Sequence, residues 1–361
     1  MKPVYIAATV QDSGKTFTSL GLMQVLRSQG VDPGYIKPVG QHWVPYLQAQ
    51  VDEDAVLVHK FFNLTTPPIH MSPIAVERGF TARFIEHPDV RPLEKRILDS
   101  VAILNRTHPL LIVEGTGHAG VGSCFGLSNA RVAELLGAKV IIVTAGGIGK
   151  PIDEIALSLS LFRDHHVEVL GVILNKVLTD KYEKIRTTVA KGLELLGTRL
   201  LGAVPYESSL THFSVGQLAE EFNYRVLCGT QALSNRIENV VVAAMEPQNV
   251  VPYIRHNTLV IAPGDRLDNI LVAINVLAQD YAHSGGLLVT GGIELHPTIV
   301  PLVENSKVPV LVSKDDTFTV SSRMADIGFK IRDFDLDKIL TCRDLIEKHV
   351  NTKQILDALQ D

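Results

Sequence analysis

The chain has 361 residues, with 34 Lys and Arg against 39 Asp and Glu, 46% hydrophobic residues and three cysteines. At about 100–200 residues per domain this length predicts two domains with sizeable cores, and the apolar fraction excludes a disordered chain. A net charge of −5 offers no basic excess for coating nucleic acid, no apolar run approaches the ~20 residues that span a bilayer, and Cys124, Cys228 and Cys342 are too scattered for a disulfide framework or a zinc cage.

Composition therefore predicts a soluble cytoplasmic protein with buried thiols, partnered by neither nucleic acid nor membrane. Along the chain, short β-branched runs alternate with longer helical patterns, as in a parallel sheet with crossover helices. Strands are predicted at 4–9, 33–38, 109–114, 139–144 and 169–175, with helices such as 15–29 and 152–165 between them. Runs such as Leu110-Leu111-Ile112-Val113 are apolar throughout, as in strands covered on both faces. Residues 42–100, with Pro67-Pro68 and isolated charges, read as inserted helices and loops suited to substrate contacts. The polar stretch 207–235 reads as a linker. A second rhythm follows, with strands at 240–245, 258–262, 286–289 and 308–312 and helices at 268–282 and 297–304. An amphipathic segment at 344–359 ends the chain as a docked helix.

The strongest local signal is Thr9-Val10-Gln11-Asp12-Ser13-Gly14-Lys15-Thr16, which follows a strand and opens a helix. This is the pattern of a phosphate-binding loop, with Thr9 where the first glycine usually stands. Backbone N–H groups at a helix N-terminus point at an anion, and the dipole adds about half a positive charge. Gly14 allows close approach, Lys15 brings a point charge to terminal phosphates, and the Thr16 hydroxyl can coordinate Mg²⁺. Two carboxylates could complete that metal site. Glu114 ends an apolar strand on the ligand-bearing edge of the sheet. Asp54, in Asp52-Glu53-Asp54, is either a second metal ligand or a solvated helix start.

The motifs Asp12–Thr16, Tyr35-Ile36-Lys37-Pro38, Asp54-Ala55, Val113-Glu114-Gly115 and Leu174-Asn175-Lys176 resemble dethiobiotin synthetase in order and spacing. Gly115-Thr116-Gly117-His118-Ala119-Gly120-Val121-Gly122 and Ser128-Asn129-Ala130 are closer to the N-terminal part of the long bacterial phosphotransacetylases. Gly264-Asp265-Arg266 with Thr290-Gly291-Gly292 resembles a DRTGG domain, as in the same family. The resemblance implies an α/β fold. A P-loop NTPase domain with a mostly parallel sheet (1–230) would precede a smaller α/β DRTGG domain (236–345) and a C-terminal helix (346–361). It implies a nucleotide set of Asp12, Ser13, Gly14, Lys15, Thr16, Phe17, Asn175, Lys176 and Pro205, with Lys15 and Lys37 as catalytic cations. It also implies Thr16, Asp54 and Glu114 as metal ligands, ATP and Mg²⁺ as cofactors, and a homodimer. Alternatives stay open at two positions: Lys37 as a surface charge before proline, and Asn175 as a strand-end cap.

Ala8, Gln11 and His118 depart from the dethiobiotin synthetase pattern next to its substrate, and no counterpart of its diaminopelargonate-binding region is found. His118 is either a ligand-sensing or acid–base group, or a histidine hydrogen-bonded to its own loop. In the second domain Asp265, Arg266, Thr290, Gly291 and Asp316 fall in turns after three strands, where small ligands usually bind. Asp265 and Arg266 could equally be a helix-capping pair. The expectation is an ATP- and Mg²⁺-binding protein that senses an unknown small metabolite, without acetyltransferase chemistry. The alternatives are an ATP-dependent carboxylate or carbamate ligase, and a scaffold with a vestigial nucleotide site.

Overall fold

A computed structural model describes residues 1–279, 284–326, 331–332 and 335–360. The chain forms two compact units, Met1–Glu207 together with Ile331–Asp361, and Ser208–Lys330. In the first unit six strands make one sheet: β1 (Val4–Ala8), β2 (Pro33–Ile36), β3 (Leu110–His118), β4 (Lys139–Ala145), β5 (Val169–Val177) and β6 (Leu200–Pro205). Their order is β6-β5-β4-β1-β3-β2, and every pairing is parallel. The strands are almost wholly buried, with β1 buried at all five positions, because helices cover both faces. Prominent among these helices are α1 (Lys15–Ser28), α2 (Glu53–Phe61), α3 (Gly149–Asp164) and α4 (Tyr182–Leu195). The chain leaves β1 toward β2 on one side and later returns to β4 on the other. The carboxyl ends of β1 and β3 therefore flank a switch point, where α/β sheets open a crevice.

In the second unit β7 (Arg225–Cys228), β8 (Asn239–Val242), β9 (Thr258–Pro263), β10 (Gly286–Thr290) and β11 (Val310–Val312) form a sheet in the order β7-β11-β10-β9-β8. All neighbours are parallel except β7 on β11. Helices α5 (Leu267–Gln279) and α6 (Thr317–Asp326) follow β9 and β11. Residues 280–282 of the expected 268–282 helix, and residue 361, lie outside the described residues.

The fold draws several lines differently from the sequence reading. Residues 208–230 belong to the second unit, where Val215, Leu218 and Tyr224 are buried with Ile261, Leu288 and Leu311. The stretch read as a linker thus carries β7 and part of a core. The inserted segment 42–100 contains a hairpin of Trp43–Tyr46 and Ala49–Asp52 as well as helices. The C-terminal segment, from residue 331 onward, returns to the first unit as two helices, α7 (Leu336–His349) and α8 (Thr352–Gln360). They break at Val350, which bridges Gly202 on the edge strand β6, while Asn351 N–H donates to Leu201 O at 2.9 Å. No helix among the described residues is long and apolar enough to cross a membrane.

Helix α7 lies directly on α1, the helix that starts at the phosphate loop. Gln24 Nε2 donates to Ile339 O at 2.8 Å, and a Cβ at Gly21 would stand 2.4 Å from Ile346 Cγ1 and 2.7 Å from Cys342 O. Because Cys342 O is backbone, little can yield. Gly21→Val should therefore destabilise the protein by about 1–3 kcal/mol through overpacking. A melting temperature equal to that of the unaltered chain would show that α7 does not hold this contact.

Candidate functional site

The phosphate loop leaves β1 through Thr9, whose hydroxyl lies 2.9 Å from Thr144 Oγ1 and donates to Glu154 Oε2 at 3.0 Å. The loop then turns through Asp12 (φ +58°) and Gly14 (φ +105°), the left-handed region that favours glycine. At Gly14 space also forbids a side chain, since a Cβ would lie 2.0 Å from Asn175 Nδ2. That amide donates to Ser13 O at 3.0 Å, while its Oδ1 accepts from Lys176 N–H at 2.9 Å. Lys176 Nζ donates to Asp12 O at 2.9 Å. Asn175 and Lys176, at the end of β5, thus brace the loop backbone. Helix α1 starts from Gly14 without a side-chain cap. Phe17 is buried, so what it can offer an anion is its backbone N–H.

Beside the loop, Glu114 on β3 is buried and accepts from Thr16 Oγ1 at 2.8 Å and from Tyr35 OH at 3.1 Å. Burial, and then the nearby Asp54 carboxylate, push its carboxyl above the usual range against the pull of Lys37. Lys15 Nζ donates to Gly117 O at 3.4 Å; burial lowers its pKa, opposed chiefly by Glu114. Lys37, just beyond β2, is 5% exposed and is no surface charge. Its ammonium bonds Asp52 Oδ1 at 2.8 Å and also pairs with Asp54. Burial disfavours its charge, yet Asp54, Asp52 and Glu114 together hold it above the ordinary lysine range.

Asp52 was not among the expected site residues. It ends the hairpin, caps α2 by accepting from Asp54 N–H at 3.1 Å, and accepts from His42 N–H at 3.3 Å. Its sequence signal is an Asp directly before a helix with Glu53 and Asp54 in the first turn, which reads as a cap. Asn129 was also missed as a working residue. Its Oδ1 accepts from Tyr5 OH and Thr116 N–H, and its Nδ2 donates to Thr116 O and His118 O. One buried amide therefore fixes the loop that presents Gly117 O to Lys15. His118 is exposed and accepts from Gly120 N–H at 3.2 Å through Nδ1, a bond within its own loop.

Of the three expected metal ligands, Thr16 bonds Glu114, and Asp54 is near enough to Glu114 for their charges to interact. Among the described residues no three His, Cys, Asp or Glu side chains form a cage of their own. Two carboxylates and a hydroxyl nevertheless fit Mg²⁺, which takes its remaining ligands from phosphate and water. Pro205 ends β6 and lines a cleft of about 450 Å³ with Thr179, Tyr182 and His349. Tyr182 OH donates to Ala203 O at 2.6 Å and lies 3.2 Å from His349 Nδ1.

In the second unit the turns after β9, β10 and β11 lie along one sheet edge. Arg266 makes a two-pronged pair with Asp268 at 3.0 Å, rather than with Asp265, and donates to Met245 O at 3.2 Å. Gly291 N–H donates to Asp315 O at 2.7 Å, and Thr290 Oγ1 lies 2.6 Å from Thr317 Oγ1. Asp316 accepts from the N–H and hydroxyl of Thr319 at the start of α6. Asp265 is exposed beside Arg266.

Two curated relatives are named phosphate acetyltransferase. That of Nitratidesulfovibrio vulgaris is 26% identical over 98% of this chain and 51% of its own length. That of Pseudomonas putida is 26% identical over 97% of this chain and 51% of its own length. The chain spans about half the length of the curated relatives it matches. Among solved structures, the MinC:MinD cell division protein complex of Aquifex aeolicus superposes with a TM-score of 0.39 at 14% identity, covering 58% of this chain and 84% of that one. Residues 217–327 match the DRTGG domain. Residues 2–214, more than half of the sequence, match the AAA domain, and the chain belongs to that family.

Proposed function

We propose that the first unit binds ATP with Mg²⁺ and that the chain is a regulatory, metabolite-sensing relative of the phosphotransacetylases. The observation that carries this reading is the β1–α1 junction. Lys15, Thr16 and the first-turn N–H groups of α1 gather there on a loop braced by Asn175 and Lys176. Lys15 would meet the terminal phosphates, while Thr16, Asp54 and Glu114 would hold the metal. Bound Mg²⁺ would neutralise charge on the phosphates.

The second unit supports the regulatory part of the reading. Its DRTGG match and its polar turns at Asp265–Arg266, Thr290–Gly291 and Asp316, which follow parallel strands, suit the holding of a small ligand. A small metabolite bound along that edge would meet the hydroxyls, carboxylates and N–H groups of these turns. The same proposal includes a homodimer, for which α3 offers Leu157, 75% exposed on a helix face it shares with Lys150, Asp153, Ser160 and Asp164.

Calorimetric titration with ATP and Mg²⁺ tests the nucleotide site. Lys15→Ala should weaken binding ~10-fold or more, because a charge-assisted bond contributes about 1.5–3 kcal/mol. An unchanged dissociation constant would remove the assignment. Arg266→Ala should leave ATP affinity within about twofold; loss of ATP binding in this variant, still folded, would show that the two sites are not separate. Light scattering should return twice the 39.5 kDa chain mass at micromolar concentration. A monomer mass throughout that range would exclude the dimer.

A further inference from the structure

Lys37 and the proposed magnesium make rival claims on Asp54. The Lys37 ammonium pairs with both Asp52 and Asp54, and all three side chains are buried. Asp54 also belongs to the expected metal set, near enough to Glu114 for their charges to interact. An ammonium and a divalent cation pressed on one buried carboxylate would repel strongly. Asp52 offers a way out, since it bonds Lys37 at 2.8 Å and is outside the metal set. The Thr16 hydroxyl can join without losing Glu114, because its O–H donates while a lone pair is left for the metal.

We propose that Lys37 and the divalent cation exchange on Asp54: the arriving cation displaces the ammonium, and Asp52 retains it. Asp52 is then a positioning residue, setting how readily the metal enters. This inference rests on the reading of Thr16, Asp54 and Glu114 as the metal set. No bond is made or broken in the exchange; one ion pair is traded for another.

The test measures half-saturating Mn²⁺, a spin-active stand-in for Mg²⁺, by electron paramagnetic resonance in the presence of ATP. Asp52→Asn keeps the helix cap, since Asn caps as well as Asp. It takes away the alternative carboxylate for Lys37 and should raise half-saturation about tenfold. Lys37→Gln removes the competitor and should lower it about tenfold. General electrostatics would give the same two signs, so the double variant decides. With Gln at 37, Asp52→Asn has no ammonium to deprive and should leave Mn²⁺ affinity unchanged. An equal tenfold weakening in both backgrounds would overturn the exchange.

If Lys37→Gln alone fails to fold, the charge-balanced double variant must bind Mn²⁺ more tightly than the unaltered protein; equal affinity would overturn the exchange. Asp54→Asn and Glu114→Gln separate the two readings. If both leave Mn²⁺ binding intact, the metal set is wrong and the exchange falls with it. If both abolish binding while the Lys37 and Asp52 variants change nothing, the metal set stands and only the exchange is lost.

Discussion

Charge taken out of water at one end of a sheet has to be balanced where it lies, and this constraint organises the first unit. Lys15, Lys37, Asp52, Asp54 and Glu114 come from five different places: the start of α1, the residue after β2, the end of the hairpin, the first turn of α2, and β3. None can be stripped of its partners cheaply. Leaving one member of a buried pair alone typically costs 3–5 kcal/mol. Such a cluster is weak evidence for stability, but it dictates that the hairpin, α2 and the sheet meet in one arrangement. The insertion between β2 and β3 is therefore part of the site, because it alone delivers Asp52 and Asp54.

The phosphate loop shows how a departure from a common pattern is absorbed. Thr9 stands where glycine is usual, but the left-handed turns of this loop fall at Asp12 and Gly14. Thr9 can therefore keep a side chain, and its hydroxyl ties β1 to β4 and α3 through Thr144 and Glu154. Gly14 has no such latitude, since Asn175 occupies the space a side chain would need.

What the sequence made legible followed from strong, local signals. The β1–α1 junction, the apolar strands and the carboxylate at the end of an apolar run each announce themselves within a few residues. Lys37 after a strand, Asp54 in a helix's first turn and Glu114 at the end of an apolar run are signals of this local kind. What escaped depended on partners far along the chain. Asp52 reads as a cap and nothing more until Lys37 arrives beside it. The strand Trp43–Tyr46 contains Pro45 and is half exposed, which argues against a strand unless its hairpin partner is known. Arg225–Cys228 sits in a polar stretch and earns its place only by pairing with β11. The break at Val350 joins a distant cause, docking on β6, to a local one, the cap in which Asn351 Oδ1 accepts from Gln354 N–H at 3.1 Å.

The return of the C-terminal segment also bears on the order in which this protein can be built. Helix α7 covers α1 at Gly21, and Lys139 Nζ donates to Ala358 O at 2.8 Å, yet both helices follow Ser208–Lys330 in the chain. A ribosome finishes the central strands of the first unit early and must then translate the whole second unit before their final cover exists. Until then the apolar flank of α1 is open to water and to other chains. Domains generally fold as units while the chain is being made. Here the second unit is free to do so, whereas the first must wait for the last thirty or so residues to close it.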